Sequence, residues 1–226
     1  MRIAVLGTGV VGQAIAGRLD ELGHDVVVGT RDVATTLART EPDGMGNPPF
    51  PDWTRAHPRV RVVSLADAGA HGEVVVNATA GGGAVDALRG AGAENLAGKV
   101  VVDVSNPLDF SRGFPPTLFV KDDDSLGEQI QRALPDARVV KTLNTMTAGL
   151  MVHPEQLADG DHSVFVSGDD AAAKATVAEL LRSMGHTDVI DLGDLSSARG
   201  TEMMLPVWLR LFGALGTPMF NVKVVR

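Results

Sequence analysis

The sequence of 226 residues contains neither cysteine nor tyrosine. The absence of cysteine excludes disulfide bonds, thiolate metal sites and thiol catalysis. The absence of tyrosine excludes every mechanism in which a tyrosine is the acid. No stretch approaches the roughly 18 uninterrupted apolar residues that a membrane-spanning helix needs. The first apolar run is too short for a secretory signal, so we expect a cytoplasmic protein.

Positive charge is also scarce, since 20 lysines and arginines face 28 acidic residues, which gives a formal net charge of −8. This balance argues against nucleic acid and against an anionic membrane surface as partners. The six histidines are scattered and show no metal-ligand spacing, so the sequence predicts no metal site. An anionic small molecule would need local groups to hold it against the overall field.

Strand-like and helix-like segments alternate from residue 2 onward. This alternation predicts a doubly wound, mostly parallel α/β sheet. We expect a main domain over residues 1–150 and a small C-terminal extension over 151–226 that completes the sheet. The predicted strands are 2–6, 25–29, 59–64, 73–77, 99–104, 138–143, 163–167 and 188–191. The predicted helices are 10–22, 31–39, 66–71, 84–91, 125–134 and 170–184.

Two segments depart from this rhythm. Residues 41–59 contain five prolines and two glycines, and we expect an ordered surface excursion because Phe50 and Trp53 can be buried. Residues 195–215 predict one helix that is apolar on almost every side, and such a helix must be buried. A partner subunit is the expected cover, which predicts a homodimer with the extension on the dimer and second-substrate side.

The first strand runs directly into Gly7-Thr8-Gly9-Val10-Val11-Gly12, which matches G-x-G-x-x-G. Gly7 permits a tight turn, Gly9 lets a pyrophosphate approach the backbone, and Gly12 allows close packing of helix and strand. The free N–H groups at the helix N-terminus attract phosphates. Because a strand precedes the motif and a helix follows it, the sequence predicts a Rossmann-type dinucleotide site.

The tip of the second strand reads Thr30-Arg31-Asp32. An NAD site would carry an acidic residue at this tip to bind the ribose 2′-hydroxyl. Arg31 can instead bind a 2′-phosphate, which favours NADP(H). The alternative is that Arg31 forms a surface salt bridge and that Asp32 binds the ribose.

Three further loops follow predicted strands and should meet in the same crevice. The candidate binding residues in them are Asn77, Ala78, Thr79, Asn106, Asn144, Met146 and Ala148. Gly81, Gly82 and Gly83 leave the first of these loops uncluttered, and a flexible loop with no ligand is the alternative interpretation there.

Taken together, these residues resemble the F420-dependent NADP oxidoreductases, a family that also resembles the reductase domains of ferric-reducing membrane proteins. The segments that carry the resemblance are MRIAVLGTGVVGQAIAGRLDELGHDVVVGTRD, VVKTLNTMTA and DLGDLSSARGTEMMLP. The resemblance implies that Thr8, Thr30 and Arg31 hold the adenosine phosphate and that Met146 and Ala148 face the nicotinamide. It also implies direct hydride transfer to a deazaflavin stacked on the nicotinamide, without an obligatory side-chain acid.

The chain departs from this family pattern beside the expected deazaflavin pocket. Asn144 stands where archaeal members carry histidine, and the three glycines at 81–83 replace a bulky polar stretch. The second cofactor does not follow from the residues alone; we expect deazaflavin F420, with a flavin (FMN or FAD) as the next choice. The alternatives are reduction of a small carbonyl or imine and a non-catalytic NADP(H)-binding redox sensor.

A catalytic acid is not evident in the sequence. Lys141 could be a general acid near a nicotinamide, although a lysine facing the outer end of the sheet is the simpler interpretation. His153 and His162 flank the loop after the nicotinamide segment, and we interpret both as surface or turn residues.

Overall fold

The computed structural model describes residues 1–42 and 46–226, so positions 43–45 of the predicted surface excursion lie outside the described residues. The strands are Arg2–Leu6 (β1), Asp25–Thr30 (β2), Arg61–Ser64 (β3), Val74–Asn77 (β4), Val100–Asp103 (β5), Leu108–Asp109 (β6), Thr117–Leu118 (β7), Arg138–Thr142 (β8), Ser163–Ser167 (β9) and Asp188–Asp191 (β10). Each predicted strand is present, with bounds that differ by no more than two residues.

Within the described ranges, eight strands form one sheet in the order β10-β9-β8-β5-β4-β1-β2-β3. Neighbouring strands run parallel except for β8 and β9, which are antiparallel. The doubly wound, mostly parallel fold is therefore confirmed. The chain leaves β1 toward β2 and β3 on one side and later returns to β4 on the other, which creates a crevice beyond the ends of β1 and β4.

The helices are Val10–Glu21 (α1), Val33–Leu37 (α2), Phe50–Ala56 (α3), Leu65–His71 (α4), Ala84–Ala91 (α5), Ala93–Leu96 (α6), Leu126–Ala133 (α7), Ala148–Val152 (α8), Ala171–Met184 (α9), Ala198–Met203 (α10) and Leu205–Leu215 (α11). Side-chain caps fix several starts. The Asp170 side chain accepts a hydrogen bond from the Ala173 amide at 2.7 Å, and Gly185 ends the same helix with φ of 112°.

The central strands β4 and β5 are built from valine runs that are buried on both faces. Val74, Val75 and Val76 are all buried, as are Val100, Val101 and Val102. Because successive side chains in a strand point to opposite faces, these residues supply two apolar layers, one on each side of the sheet. The packed layers hold the strand ends, and hence the crevice, in a fixed arrangement.

Of two expectations for the segment after β2, one is corrected and one is met. The second helix was expected over 31–39, but it spans only Val33–Leu37 because Asp32 caps its N-terminus and leaves Arg31 in the preceding loop. The described part of the 41–59 excursion contains a short helix, α3, in which Phe50 is buried and stacks on Trp53. The expected burial of aromatic residues in this excursion is thus observed.

The expectation of one continuous helix over 195–215 is wrong. A 3₁₀ turn, α10 and α11 occupy this segment, and Pro206 lies in the first turn of α11, where its missing N–H does not disrupt the hydrogen-bond ladder. Only Leu205 and Leu209 of α11 are buried, whereas Val207, Leu211 and Leu215 are exposed. Within the part of the chain that the structure describes, this apolar face is left uncovered.

No helix in the described residues is long and apolar enough to cross a membrane. The loop after β5 carries the β6–β7 hairpin, which was not predicted from the sequence. Its exposed side chains include Phe110, Phe114 and Phe119, and Phe114 packs edge-on against Phe212 of α11.

Candidate functional site

The glycine turn between β1 and α1 forms the floor of the crevice. Gly7 has φ of 119°, and a Cβ there would lie 2.6 Å from the Ala78 carbonyl oxygen. A Cβ on Gly12 would overlap the Gly7 carbonyl oxygen. In contrast, a Cβ on Gly9 would have no heavy atom within 4 Å, so Gly9 faces open space. Gly7 and Gly12 thus maintain the turn, and Gly9 leaves room for a ligand.

Gly9 is also the N-cap of α1, and no side chain of residues 1–42 or 46–226 caps the helix. The first N–H groups of α1 therefore lie toward open space with the positive end of the helix dipole. Val10 is exposed at the first helical position, and Val11 is half-buried beside it. This arrangement fits a diphosphate, which would accept hydrogen bonds from the backbone without any basic side chain.

A cavity of about 760 Å³ extends from this turn to the tip of β2. It brings together the predicted residues Gly7, Thr8, Gly9, Thr30, Arg31, Ala78 and Thr79. Arg31 is exposed, and it forms no ion pair with another residue that the structure describes. The Thr30 hydroxyl is buried and lies 2.8 Å from the Thr36 hydroxyl. The cavity thus offers a guanidinium for a phosphate at the tip of β2.

Asp32 lines the same cavity, but its side chain caps the N-terminus of α2. Its Oδ1 accepts a hydrogen bond from the Thr35 amide at 2.8 Å. This backbone hydrogen bond lowers the pKa of the Asp32 carboxyl. The N-cap geometry accounts for an acidic residue at this position and does not favour Asp32 as the ribose ligand.

Arg39 was missed by the sequence interpretation. It follows α2, lines the same cavity as Arg31, and places Nη1 3.5 Å from the Thr8 Oγ1 across the cavity mouth. Two guanidinium groups therefore flank the space in front of the turn, in a protein whose net charge is −8. A basic residue just beyond the helix after β2 is the signal that could have identified it.

A smaller cavity of about 250 Å³ adjoins the first one. The two share Ala78, Thr79 and Ala80, and the smaller one continues past Val11 and Asn106 to Phe110. Gly82 and Gly83 have no heavy atom within 4 Å of an added Cβ, whereas a Cβ on Gly81 would overlap the Asn106 carbonyl oxygen. The triple-glycine loop is thus ordered by close backbone packing at Gly81 and open at the next two positions.

The asparagines at the strand ends have different positions. Asn106 is half-buried and lines the smaller cavity, and it donates from Nδ2 to the Asn144 carbonyl oxygen at 3.0 Å. Asn144 is buried and donates from Nδ2 to Asn106 Oδ1 and to the Thr201 carbonyl oxygen, each at 3.1 Å. Asn77 is fully buried and donates to Asp103 Oδ1 at 2.8 Å. Asn77 and Asn144 therefore support the cavity wall from behind.

Met146 and Ala148 lie farther from the two cavities. Met146 is 5% exposed and packs in the apolar core. Ala148 is half-buried at the first position of α8. Among the described residues that line either cavity, neither of these two is present.

Lys141 does not face the outer end of the sheet, so that interpretation is wrong. Its ammonium group is buried between two carboxylates, 2.7 Å from Asp103 Oδ2 and 2.8 Å from Glu202 Oε1, and it donates to the Ser105 carbonyl oxygen at 2.6 Å. Burial opposes the charged form, but the attraction of Asp103 and then of Glu202 outweighs it and raises the pKa of Lys141. A lysine held in this way is a poor proton donor.

Of the two histidines, His153 fits the surface or turn interpretation, because it caps the end of α8 with a partly exposed side chain. His153 is half-buried, and its Nδ1 lies 3.1 Å from Glu155 Oε1. His162 is 3% exposed, with Nε2 3.0 Å from the Pro154 carbonyl oxygen and Nδ1 2.8 Å from Asn221 Nδ2. His162 lies in a bend just before β9 and is buried, so the surface part of its interpretation is wrong.

Comparison with known proteins gives consistent results. A family model described as "NADP oxidoreductase coenzyme F420-dependent" matches residues 2–107. A crystal structure from Arthrobacter sp. FB24, of a protein named as a candidate F420-dependent NADP-reductase, is 62% identical, with a TM-score of 0.96 and full coverage of both chains. The F420-dependent NADP reductase of Methanothermobacter marburgensis is 28% identical over 93% of this chain and 92% of its own length.

The chain is also similar to a longer protein, the metalloreductase STEAP3 of Rattus norvegicus. The two are 30% identical over 212 residues, which cover 92% of this chain but 38% of the rat protein. The glycine turn and the tip of β2 lie inside the segment matched by the family model.

Proposed function

Because the chain belongs to the F420-dependent NADP oxidoreductase family, we propose that it binds NADP(H) along the crevice and transfers a hydride between the nicotinamide and a second planar redox cofactor. Deazaflavin F420 is the first candidate for that cofactor. The names of two similar proteins describe an F420-dependent NADP reductase, and we propose the same activity for this chain.

One observation carries the proposal, namely the open space in front of Gly9 with guanidinium groups at its rim. The uncapped N-terminus of α1 supplies N–H donors for the diphosphate. Arg31 supplies a planar, permanently charged group for a 2′-phosphate, and Arg39 adds a second one. NADH lacks the phosphate that these arginines would bind, so the geometry favours NADPH.

The lining of the smaller cavity supports a planar partner rather than a small polar substrate. Val11, Val104, Leu108 and Phe110 supply apolar surface, and Gly82 adds no side chain. A flat aromatic ring gains more from such walls than a carbonyl compound, which needs polar groups to fix its orientation. A flavin would meet the same walls, and it is the outcome to be compared with F420.

The reaction balances without a side-chain acid. NADPH, oxidised deazaflavin and one proton give NADP⁺ and reduced deazaflavin, with the proton taken from solvent. The protein orients the two rings and excludes water between them, while the cofactors supply the redox chemistry. Asn106 and Asn144, each bonded to the other, would keep the wall of the cavity rigid.

The test follows oxidation of NADPH and reduction of F420 at their separate chromophores in one cuvette, with FMN and FAD in parallel reactions. We expect equal molar conversion of NADPH and F420 and slower or no conversion of the flavins. Tight binding of NADPH without turnover of any acceptor would contradict the proposal and favour a redox sensor.

We also propose a homodimer in which the exposed apolar face of α11 packs against a second copy, with the extension 151–226 on the second-substrate side. Val207, Leu211 and Leu215 form this face at helical spacing. Sedimentation at micromolar concentration should give a dimer, and Leu211→Lys should give a monomer. A monomeric native chain would contradict this part of the proposal.

A further inference from the structure

A buried network of charged and polar side chains connects helix α10 to the wall of the smaller cavity. Glu202 of α10 contacts the Lys141 ammonium group, and Lys141 contacts Asp103 at the end of β5. Asp103 Oδ1 then accepts hydrogen bonds from Asn77 Nδ2 at 2.8 Å and from the Ser105 hydroxyl at 2.7 Å. Ser105 lines the smaller cavity, so the network lies directly behind its wall.

The network carries an unbalanced charge. It contains one ammonium group and two carboxylates, a formal charge of −1, and the side chains of Lys141, Asp103 and Glu202 are at most 2% exposed. Asp103 accepts the hydrogen bonds given above. Glu202 likewise accepts hydrogen bonds from the amides of Leu126 and Gly127 at 2.8 and 3.1 Å. The N-terminus of α7 offsets part of the negative charge but does not remove it.

The wall of the smaller cavity, in front of the network, is uncharged among the described residues. Arg31 and Arg39 line the other cavity, at the tip of β2. A charge on a ligand in the smaller cavity would therefore respond to the buried network, which water and salt screen only weakly.

We propose that Glu202 is a positioning and electrostatic residue whose buried charge makes the site prefer the oxidised nicotinamide cofactor over the reduced one. The inference rests on the proposed function and on one further premise, that the nicotinamide reaches the smaller cavity and meets the ring of the second cofactor there. The oxidised ring carries a positive charge and the reduced ring does not, so a fixed negative charge stabilises only the oxidised form. Binding that prefers the product of hydride donation favours transfer from NADPH to the acceptor.

The experiment measures the dissociation constants of NADP⁺ and NADPH for the wild type and for Glu202→Gln. Because the variant loses one buried negative charge, the ratio Kd(NADP⁺)/Kd(NADPH) should rise by about three- to tenfold. Glu128→Gln is the matched control, since Glu128 lies on α7 and pairs with Arg199 outside the network. That control should leave the ratio unchanged.

A second variant separates charge from structure. In Lys141→Met/Glu202→Leu, one positive and one negative charge are removed together and Asp103 keeps the formal charge at −1. The ratio should stay within about twofold of the wild-type value, and a rise would contradict the inference even if Glu202→Gln does not fold. An unchanged ratio in Glu202→Gln, or a double variant whose ratio rises as the single variant's should, would overturn the inference.

The proposed function fails in a different way. If neither NADP⁺ nor NADPH binds the wild-type chain, the assignment of the crevice is wrong. If both cofactors bind but the ratio of their dissociation constants changes with the stability of each variant rather than with its buried charge, only the role of Glu202 is wrong.

Discussion

Lys141 Nζ lies 2.7 Å from Asp103 Oδ2, and both side chains are fully buried. The two residues are register partners in the parallel pair of β5 and β8, so the sheet itself brings them together. A buried ion pair of this kind constrains the structure strongly, because removing one partner leaves the other charge unpaired in the interior.

Lys141→Met should lower the free energy of unfolding by about 3–5 kcal/mol, since two buried carboxylates lose their counter-ion. Urea unfolding of the wild type and the variant measures the change. Lys174→Met is the control, because Lys174 pairs with the exposed Asp191 and such a pair contributes about 0–1 kcal/mol. Equal effects of the two substitutions would contradict the account of the buried pair.

Two glycine substitutions in the same turn should affect different properties, one the stability of the fold and the other the binding of NADPH. Gly12→Ala should destabilise the fold, because its Cβ overlaps the Gly7 carbonyl oxygen. Gly9→Ala should leave the melting temperature nearly unchanged and weaken NADPH, since its Cβ enters the space proposed for the diphosphate. Thermal unfolding and titration with NADPH distinguish the two effects. A Gly9→Ala variant that binds NADPH as the wild type does would place the diphosphate elsewhere.

Arg31→Ala should weaken NADPH by about 1–3 kcal/mol, the range for loss of a hydrogen bond to a charged group. NADH should be affected much less, because it has no 2′-phosphate. Dissociation constants for both cofactors check the prediction, with Arg55→Ala on the exposed face of α3 as the control. If NADPH and NADH weaken equally, Arg31 is not the residue that selects the cofactor.

His186 should make stability depend on pH below neutrality. Burial lowers the pKa of His186 from its ordinary value of 6.5. The unfolded chain therefore takes up a proton near pH 6.5 while the folded chain stays neutral until a lower pH, so the free energy of unfolding decreases as the pH falls through this interval. His186→Gln should flatten that decrease between about pH 7 and pH 5, as measured by urea unfolding at several pH values. An unchanged slope in the variant would assign the dependence to other groups.

The order of strands and helices could be predicted from the sequence because local patterns determine it. Valine runs bounded by glycine or asparagine identify β4 and β5, and the motif from Gly7 to Gly12 identifies the turn into α1. The same reasoning reached Thr8, Thr30 and Arg31, which the structure brings together around one cavity. These residues lie at strand ends, where a parallel sheet dictates proximity.

The remaining features depend on contacts between distant parts of the chain. The burial of Lys141 requires Asp103 from β5 and Glu202 from α10, and neither residue is marked by a local pattern. Arg39 reaches Thr8 because α2 ends at Leu37 and the chain then turns toward the cavity, and no local pattern marks this end. The break before α11 had a visible signal in Pro206, which the apolar run obscured.

Calorimetric titration tests the proposed binding of NADP(H) in the crevice most directly. The wild-type chain is titrated with NADPH and with NADH, and the Gly9→Ala variant is titrated with NADPH. The account predicts one NADPH per chain, clearly weaker binding of NADH, and loss of NADPH affinity in a variant that still folds. Absence of NADPH binding to the wild type, or equal affinities for the two cofactors, would contradict it.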